Sequence, residues 1–394
     1  MTEPKERLIH WKEIEVEKFI GGDGCNSVVL KIRHMGRQRS IVGKLLRVYE
    51  WLDDPGGWLE EVEILDSIND NRIVPMFDFG FCTPPASELP YVDPDFFNVD
   101  PALIQTDRPP SHAMITTPYY SEGTVKHLLE VRNGVTTRQA VLWAHRILGA
   151  LSAVHGQGIL HLDIKPSNLF MGNDGLPLLA DFGQSKWRDP TSGFAFQEKL
   201  YTSLIPPETA VAAFGGMDAP VSAQTDIYQV GALLVRLTSG EGAFQQLRER
   251  FPPNSRAEEQ ALCRGTLITP KLCQPHVPSA LRRVIAKALQ MDPSKRYLDV
   301  LAFQKALSPV AELLDWRCSR CDHEGAEFMK EGEGGTEAVT LASRAGSWFT
   351  EGSSKGVTGK LTNRSHWKSG PHDTRADAER ELARRFQVKG ELSL

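Results

Sequence analysis

The sequence predicts an α+β chain in which strands come first, helices follow, and residues 315–394 add a small α+β module. Three patterns carry this prediction. Near the N-terminus, IEVEKFI and VVLKI flank the glycine-rich turn GGDGCNS, and SIVGKLL follows; such short β-branched and apolar runs read as strands. Past residue 120, TRQAVLWAHRILGALSAVH and TDIYQVGALLVRLTSG repeat their apolar residues at helical spacing, with Val141, Ile147, Leu148, Leu151 and Val154 as core candidates in the first. Near the C-terminus, GSWFTEGSSKGVTGKLTNRSHWKSG alternates aromatic, glycine and polar residues compatible with two or three short strands. A helix then starts at Thr374, with Ala378, Leu382 and Phe386 along one side and Asp377 in its first turn.

The chain of 394 residues is long enough for more than one domain, since a domain usually takes about 100–200 residues. A net charge of −5 indicates no overall affinity for nucleic acid or membrane. The first residues, MTEPKERLIHWKE, are charged and do not read as a signal peptide, and no apolar run approaches the length of a membrane span. Six cysteines, scattered apart from Cys318 and Cys321, do not make a disulfide framework. A reducing, cytoplasmic setting is expected.

The densest chemistry lies in His161–Gly183, HLDIKPSNLFMGNDGLPLLADFG. Asp163, Lys165 and Asn168 share one short loop, and Asp181 follows after a turn and an apolar run. A carboxylate there can accept a hydroxyl proton and an ammonium can steady a phosphoryl group. An amide and a second carboxylate offer hard oxygens to magnesium. The order H-x-D-x-K-x-x-N, with D-F-G starting thirteen residues after the Asn, resembles the eukaryotic-type protein kinases. Lys165, two residues after Asp163, favours the Ser/Thr class.

The resemblance implies a bilobal fold. Its small antiparallel β-rich lobe would cover 10–117, interrupted by an inserted Pro- and Asp-rich loop at 82–112. A larger helical lobe would cover 118–314, leaving 315–394 as an accessory domain, possible β-β-α. It assigns the chemistry to Asp163 as base, Lys165 on the transferring group, and Lys44 on the nucleotide phosphates, held by Glu61. Glu60 and Glu63 could also reach Lys44 by spacing; the resemblance selects Glu61. ATP would lie against Gly22, Gly24, Ser27 and Val29 of the glycine turn, where exposed amides can meet phosphates. Val42, Lys44, Thr117, Pro118, Tyr120 and Phe170 complete its expected surroundings, and Asn168 and Asp181 are the expected magnesium ligands. Ser27 replaces the usual third glycine, and Gly43 is a weak strand residue.

Further on, PPE ending at Glu208 resembles the close of an activation segment, and Arg296 stands at the spacing of its buried partner. Thr191, Ser192, Tyr201, Thr202 and Ser203 are candidate phosphorylation sites between. Leu162 stands before Asp163 where many kinases have an arginine that pairs with an activation-segment phosphate. The expectation is activity that depends little on such phosphorylation. Asp226, near the start of its helix, is expected to hold the backbone of the catalytic loop.

Two partner readings attach to the tail. Cys318-Ser-Arg-Cys321, with His323 nearby, has the spacing of a metal knuckle, and distant His366 and His372 could complete a zinc site. Two ordinary reduced thiols are the preferred alternative. Residues 355–389 hold nine Lys/Arg against four Asp/Glu with Trp367 among them, which makes nucleic-acid binding one reading of the tail; a solvated helix face or a protein partner is preferred. The expected function is ATP- and magnesium-dependent transfer of the γ-phosphoryl group to Ser/Thr hydroxyls of a protein substrate, autophosphorylation included. A pseudokinase or scaffold without turnover is the alternative, and a small-molecule kinase of related fold fits D-F-G, P-P-E and D-P-S-K-R less well.

Overall fold

The computed structural model describes residues 11–21, 27–34, 40–47, 57–84, 112–197, 204–310 and 315–391. Two compact units arise, one from 1–122 with 180–185 and the other from 123–179 with 186–394. Most of the expected 82–112 insertion, together with Gly22, Gly24, Tyr201, Thr202 and Ser203, lies outside the described residues.

In the first unit, β1 (Ile14–Gly21), β2 (Ser27–His34), β3 (Ser40–Arg47), β4 (Asp78–Cys82) and β5 (His112–Pro118) form an antiparallel sheet in the order β1-β2-β3-β5-β4. Strict alternation divides the sheet into two faces. Val28, Leu30, Ile32, Ile41, Leu45 and Met114 bury one face with Trp11 and Ile14. Gly43 belongs to that face because a Cβ there would stand 2.9 Å from the Met114 sulfur. The opposite face carries Ala113 and Ile115, which helix α1 (Gly57–Ser67) covers with Val62 and the partly buried Leu65. Val29, Val42, Lys44 and Thr117 share this second face, since Val29 is paired with Lys44 and Val42 with Thr117.

The second unit begins with α2 (Val125–Arg132) and α3 (Thr137–Gly156). Helix α3 starts at a capping box, Thr136 with Gln139, and buries Val141, Ile147, Leu148, Leu151 and Val154. Short pieces follow: β6 (Ile159–Leu160), β7 (Leu169–Met171), β8 (Pro177–Leu179), β9 (Lys186–Trp187) and β10 (Ala195–Gln197). Next come α4 (Pro207–Phe214), β11 (Ala219–Val221), α5 (Ala223–Ser239), α6 (Glu241–Arg250), α7 (Arg256–Cys263), α8 (Ser279–Ala288) and α9 (Val300–Leu307). Helix α5 is buried from Thr225 to Ser239: Val230–Val235 is an unbroken run without polar side chains, and the buried polar residues Asp226 and Gln229 flank its start.

The tail is larger than a strand–strand–helix unit. Strands β12 (Trp316–Cys321), β13 (Gly325–Gly332), β14 (Gly335–Arg344), β15 (Ser347–Lys355) and β16 (Leu361–Asn363) form an antiparallel sheet in that order, and β17 (Ser369–His372) also pairs with β15. Helix α10 (Arg375–Glu391) lays Ala378, Leu382 and Phe386 on it, against Trp316, Phe328, Val339, Leu341 and Trp367. The outer edge of β12 does not stay open. Asn133, the left-handed cap of α2, donates to the Cys318 carbonyl at 3.1 Å and accepts from the Gly242 amide at 2.8 Å. Gln246 reaches the Cys321 carbonyl at 3.4 Å, and any side chain at Gly242 would begin 2.0 Å from that oxygen.

His276 completes the joint. It is fully buried against Phe328 and Phe386, with ring centroids 5.3 and 6.3 Å away, and neither ring nitrogen has a hydrogen-bond partner among the described residues. Burial, helped by nearby Arg282, pushes its pKa down to about 3, so it is neutral in the fold. The unfolded chain protonates it below about 6.5, and stability therefore falls as pH drops from about 6.5 towards 3. His276→Leu is expected to raise stability near neutrality by about 1–2 kcal/mol, since a buried unpaired polar group costs about 1–3 kcal/mol. At pH 5 the gain should widen by about 2 kcal/mol, the effect of roughly 1.5 units at 1.36 kcal/mol each. Unfolding curves at both pH values check this; an equal difference at the two would overturn it.

Candidate active site

Leu162 and Asp181 are the places to start, because both are non-glycine residues at positive φ, 68° and 62°. Such conformations cost about 1–3 kcal/mol and persist only where the surroundings impose them. At Leu162 they do. Asp226 accepts the Leu162 amide at 2.7 Å and the His161 amide at 3.0 Å, and Gln229 donates to the Leu162 carbonyl at 2.7 Å. Gln229 also accepts the Ile164 amide at 3.0 Å. Asp226 and Gln229 are one turn apart on α5, so a single helix face grips the loop. Burial alone would raise the Asp226 carboxyl, but His155 at 2.7 Å and the loop amides outweigh it and hold the pKa below the usual range.

The gripped loop presents Asp163 in a fixed attitude. Its Oδ2 accepts from Lys165 Nζ at 2.6 Å and from Asn168 Nδ2 at 2.7 Å, and Asn168 also donates to the Asp163 carbonyl at 2.9 Å. Oδ1, buried, has no partner among the described residues. Asn168 ends a short 3-10 turn, Pro166–Asn168, and with its amide hydrogens committed to Asp163 its carbonyl oxygen is the atom left for a cation. Phe170 follows in β7, opposite Leu178. Leu162 packs with Leu160, Ala195 and Val221, tying the ribbon β10–β11 to the loop.

In the first unit, Lys44 Nζ donates to both Glu61 oxygens at 3.0 and 3.1 Å and to Asp181 Oδ1 at 3.1 Å. Burial works against the charge on Lys44, but Asp181 and Glu61 outweigh it and hold the ammonium well above its usual range. Glu61 is the acid that α1 turns inward, while Glu63 is exposed. Val29, Val42 and Thr117 lie on the sheet face of Lys44, Ser27 opens β2, Pro118 ends β5 opposite Ile41, and Tyr120 follows it, half-buried. Within each unit the site residues therefore come together: Lys44, Glu61 and Asp181 in the first, and Asp163, Lys165 and Asn168 in the second. Gln229 was not anticipated; its place one turn after Asp226 is the signal that finds it.

A family model described as protein kinase domain matches residues 14–307. The chain belongs to the protein kinase domain family. Among its relatives are the serine/threonine-protein kinase Pkn1 of Myxococcus xanthus, 27% identical over 332 residues, covering 82% of this chain and 40% of that protein. PknD of Chlamydia abortus is 29% identical over 176 residues, covering 41% of this chain and 18% of that protein. PknL of Mycobacterium tuberculosis is 26% identical over 204 residues, covering 52% of this chain and 48% of that protein. The chain thus spans less than half the length of each of these relatives.

The two partner readings of the tail fare less well. Among the described residues no group of three or more His, Cys, Asp or Glu is placed to hold a metal ion. His366 faces Glu337 at 3.5 Å and His372 faces Ser369 at 3.0 Å, so neither joins Cys318 and Cys321 in a zinc site. Trp367 is fully buried and gives a nucleic acid no surface to stack on. Arg375, Arg380, Arg384 and Arg385 are paired with Glu379, Asp377 and Glu381, so the arginines of this helix are committed to acids of the same helix. No helix among the described residues is long and apolar enough to cross a membrane.

Proposed function

We propose that this chain is a protein serine/threonine kinase that transfers the γ-phosphoryl group of ATP to protein hydroxyls, its own included. The observation that carries the reading is the Asp163 carboxylate: one oxygen engaged twice, by Lys165 and Asn168, and the other buried and without a partner among the described residues. In the proposed reaction Asp163 Oδ1 accepts the substrate hydroxyl's hydrogen and orients its oxygen. Lys165 shifts its ammonium towards the transferring phosphoryl group. Lys44, kept charged by Glu61, holds the nucleotide phosphates, and Gly22, Gly24, Ser27, Val29, Val42, Thr117, Pro118, Tyr120 and Phe170 receive the rest of ATP. Asn168 and Asp181 offer an all-oxygen donor set that suits magnesium, which when bound would neutralise charge on the phosphates. Positioning and charge compensation supply most of the catalysis this chemistry needs, and proton acceptance by Asp163 supplies the rest.

The test is transfer of label from ATP with magnesium, to the chain itself and to a generic basic protein, with modified residues located by mass spectrometry. Label on Ser or Thr that disappears in Lys44→Met supports the reading. ATP binding with no label in either protein would overturn it in favour of a scaffold.

The packing of Leu162 bears on control. An arginine at 162 would have to enter the apolar contact with Leu160, Ala195 and Val221, so the segment at β10 is held by burial instead of by a phosphate. Thr191 and Ser192 sit on a turn whose amides are accepted by Asp189, at 3.1 and 2.7 Å, which needs no added charge. Phosphatase treatment is expected to leave the rate within about twofold. A tenfold or larger loss, about 1.4 kcal/mol in transition-state terms, would refute this.

A further inference from the structure

One reactive pair in the second unit has no part in phosphoryl transfer. Residues three apart on a regular strand point to opposite faces, so the C-x-x-C of β12 ought to separate its thiols. A bulge at Ser319 prevents this: Cys318 lies opposite Phe328 and Cys321 opposite Ala326, two residues apart on β13. Both cysteines consequently join the same core as Phe328 and Ala326. They are chemically unequal there. Cys318 keeps its proton, which is directed to the Arg320 carbonyl at 3.3 Å and the Cys321 sulfur. Cys321 Sγ accepts from Arg375 Nη2 at 3.5 Å. Arg375 is itself fixed, by the Asp322 carbonyl at 2.5 Å and Glu379 at 2.7 Å. The hydrogen bond from Cys318, and then Arg375, pull the Cys321 pKa down to about 7 against its burial, while Cys318 is pushed well above the usual thiol range.

We propose that Cys318 and Cys321 form a redox-active dithiol that a hydroperoxide converts to a disulfide, with Cys321 attacking and Cys318 resolving. In the first step the Cys321 thiolate attacks one peroxide oxygen. An S–O bond forms, the O–O bond breaks, and the departing oxygen takes a proton to leave as water or an alcohol. The sulfur is oxidised by two electrons and the peroxide reduced by two. In the second step Cys318 attacks the Cys321 sulfenic acid, an S–S bond forms, and the hydroxyl leaves as water with the Cys318 proton. An attacking thiol with a pKa near ambient pH, beside a fixed cation and a protonated neighbour, has the chemistry that both steps require, and the burial of both sulfurs sets how fast a peroxide reaches them. The disulfide would span the part of β12 whose carbonyls Asn133 and Gln246 hold, so it locks the strand that joins the tail to the rest of the second unit.

The experiment uses the full chain, hydrogen peroxide at near-stoichiometric dose, and mass spectrometry of the peptide holding both cysteines. That peptide is expected to lose the mass of two hydrogens and recover it with dithiothreitol. Partly exposed Cys263 serves as the internal standard for non-specific oxidation. In Cys318→Ser the reaction should stop at a sulfenic acid on Cys321 that dimedone traps, while Cys321→Ser should give no adduct at Cys318. Arg375→Leu should slow the wild-type reaction severalfold, with circular dichroism confirming that each variant is folded. Oxidation of Cys263 before any loss of hydrogen from the pair in the wild type would overturn the proposal, whatever the variants do. Dimedone on Cys318 in Cys321→Ser but none on Cys321 in Cys318→Ser would overturn the assignment of roles.

Discussion

Asp163→Asn is expected to lower the rate of phosphoryl transfer by about 10²–10⁴-fold, the range of positioned general acid–base catalysis. ATP affinity and unfolding temperature should stay close to wild type. The substitution keeps the shape of the side chain, and the backbone beneath it is held by Asp226 and Gln229 rather than by its own carboxylate. What changes is charge and donor pattern. An amide has one acceptor oxygen where the carboxylate has two. If that oxygen stays with Lys165 and Asn168, an NH₂ group faces the substrate hydroxyl, with no lone pair to receive its hydrogen. If the amide turns over, two donors confront Lys165 and Asn168. Initial rates across ATP concentration, with ATP-induced shifts in unfolding temperature, separate the two effects. A rate within fivefold of wild type would remove Asp163 from its proposed role.

Much of this site was legible because its chemistry is local in sequence. Asp163, Lys165 and Asn168 lie within six consecutive positions, and one 3-10 turn brings their side chains together. Lys44 and Glu61 were nameable through the resemblance, which selects Glu61 from the three acids, Glu60, Glu61 and Glu63, that spacing leaves open. Helix α1 nevertheless differs in detail from the stripe Leu59, Val62, Leu65 and Ile68 that helical spacing suggests: fully buried Ile64 lies off that stripe, and Ile68 lies beyond the last helical residue, Ser67. The helix stripe of Ala378, Leu382 and Phe386 was also visible, since apolar residues at that spacing leave few other uses. The start of the tail was not. Strands β12 and β13 are short of continuous β-branched residues, and C-x-x-C drew attention as a metal knuckle. A bulge is a property of strand register, which one strand's sequence does not contain. The joint made by Asn133, Gly242 and His276 was equally hidden, because it links residues more than a hundred positions from some of their partners.

Glu208→Ala is expected to destabilise the second unit by about 3–5 kcal/mol, the usual result of stripping one partner from a buried ion pair. Arg296 explains why the effect should be this large. Its guanidinium end is wholly removed from solvent, with Nη1 and Nη2 each donating to Glu208 at 2.7 Å in the two-pronged geometry that suits a carboxylate. The remaining donors go to carbonyls of Gln224, Gln290 and Met291, and the cation lies 4.9 Å from the Tyr228 ring centroid. Carbonyls and a ring face solvate the cation but cannot neutralise it, so removing Glu208 leaves a full charge in a low-dielectric setting. The pair joins α4, the start of α5 and the segment before α9, three pieces that share no backbone hydrogen-bond ladder. Arg296→Met with Glu208→Leu removes both charges and fills much of the same volume, and should recover at least half of the loss. Unfolding curves of Glu208→Leu, Arg296→Met and the double variant form a cycle that isolates the pair from the rest of the packing. If Glu208→Ala costs under 1 kcal/mol, water must already reach Arg296, and the pair would rank with exposed ion pairs.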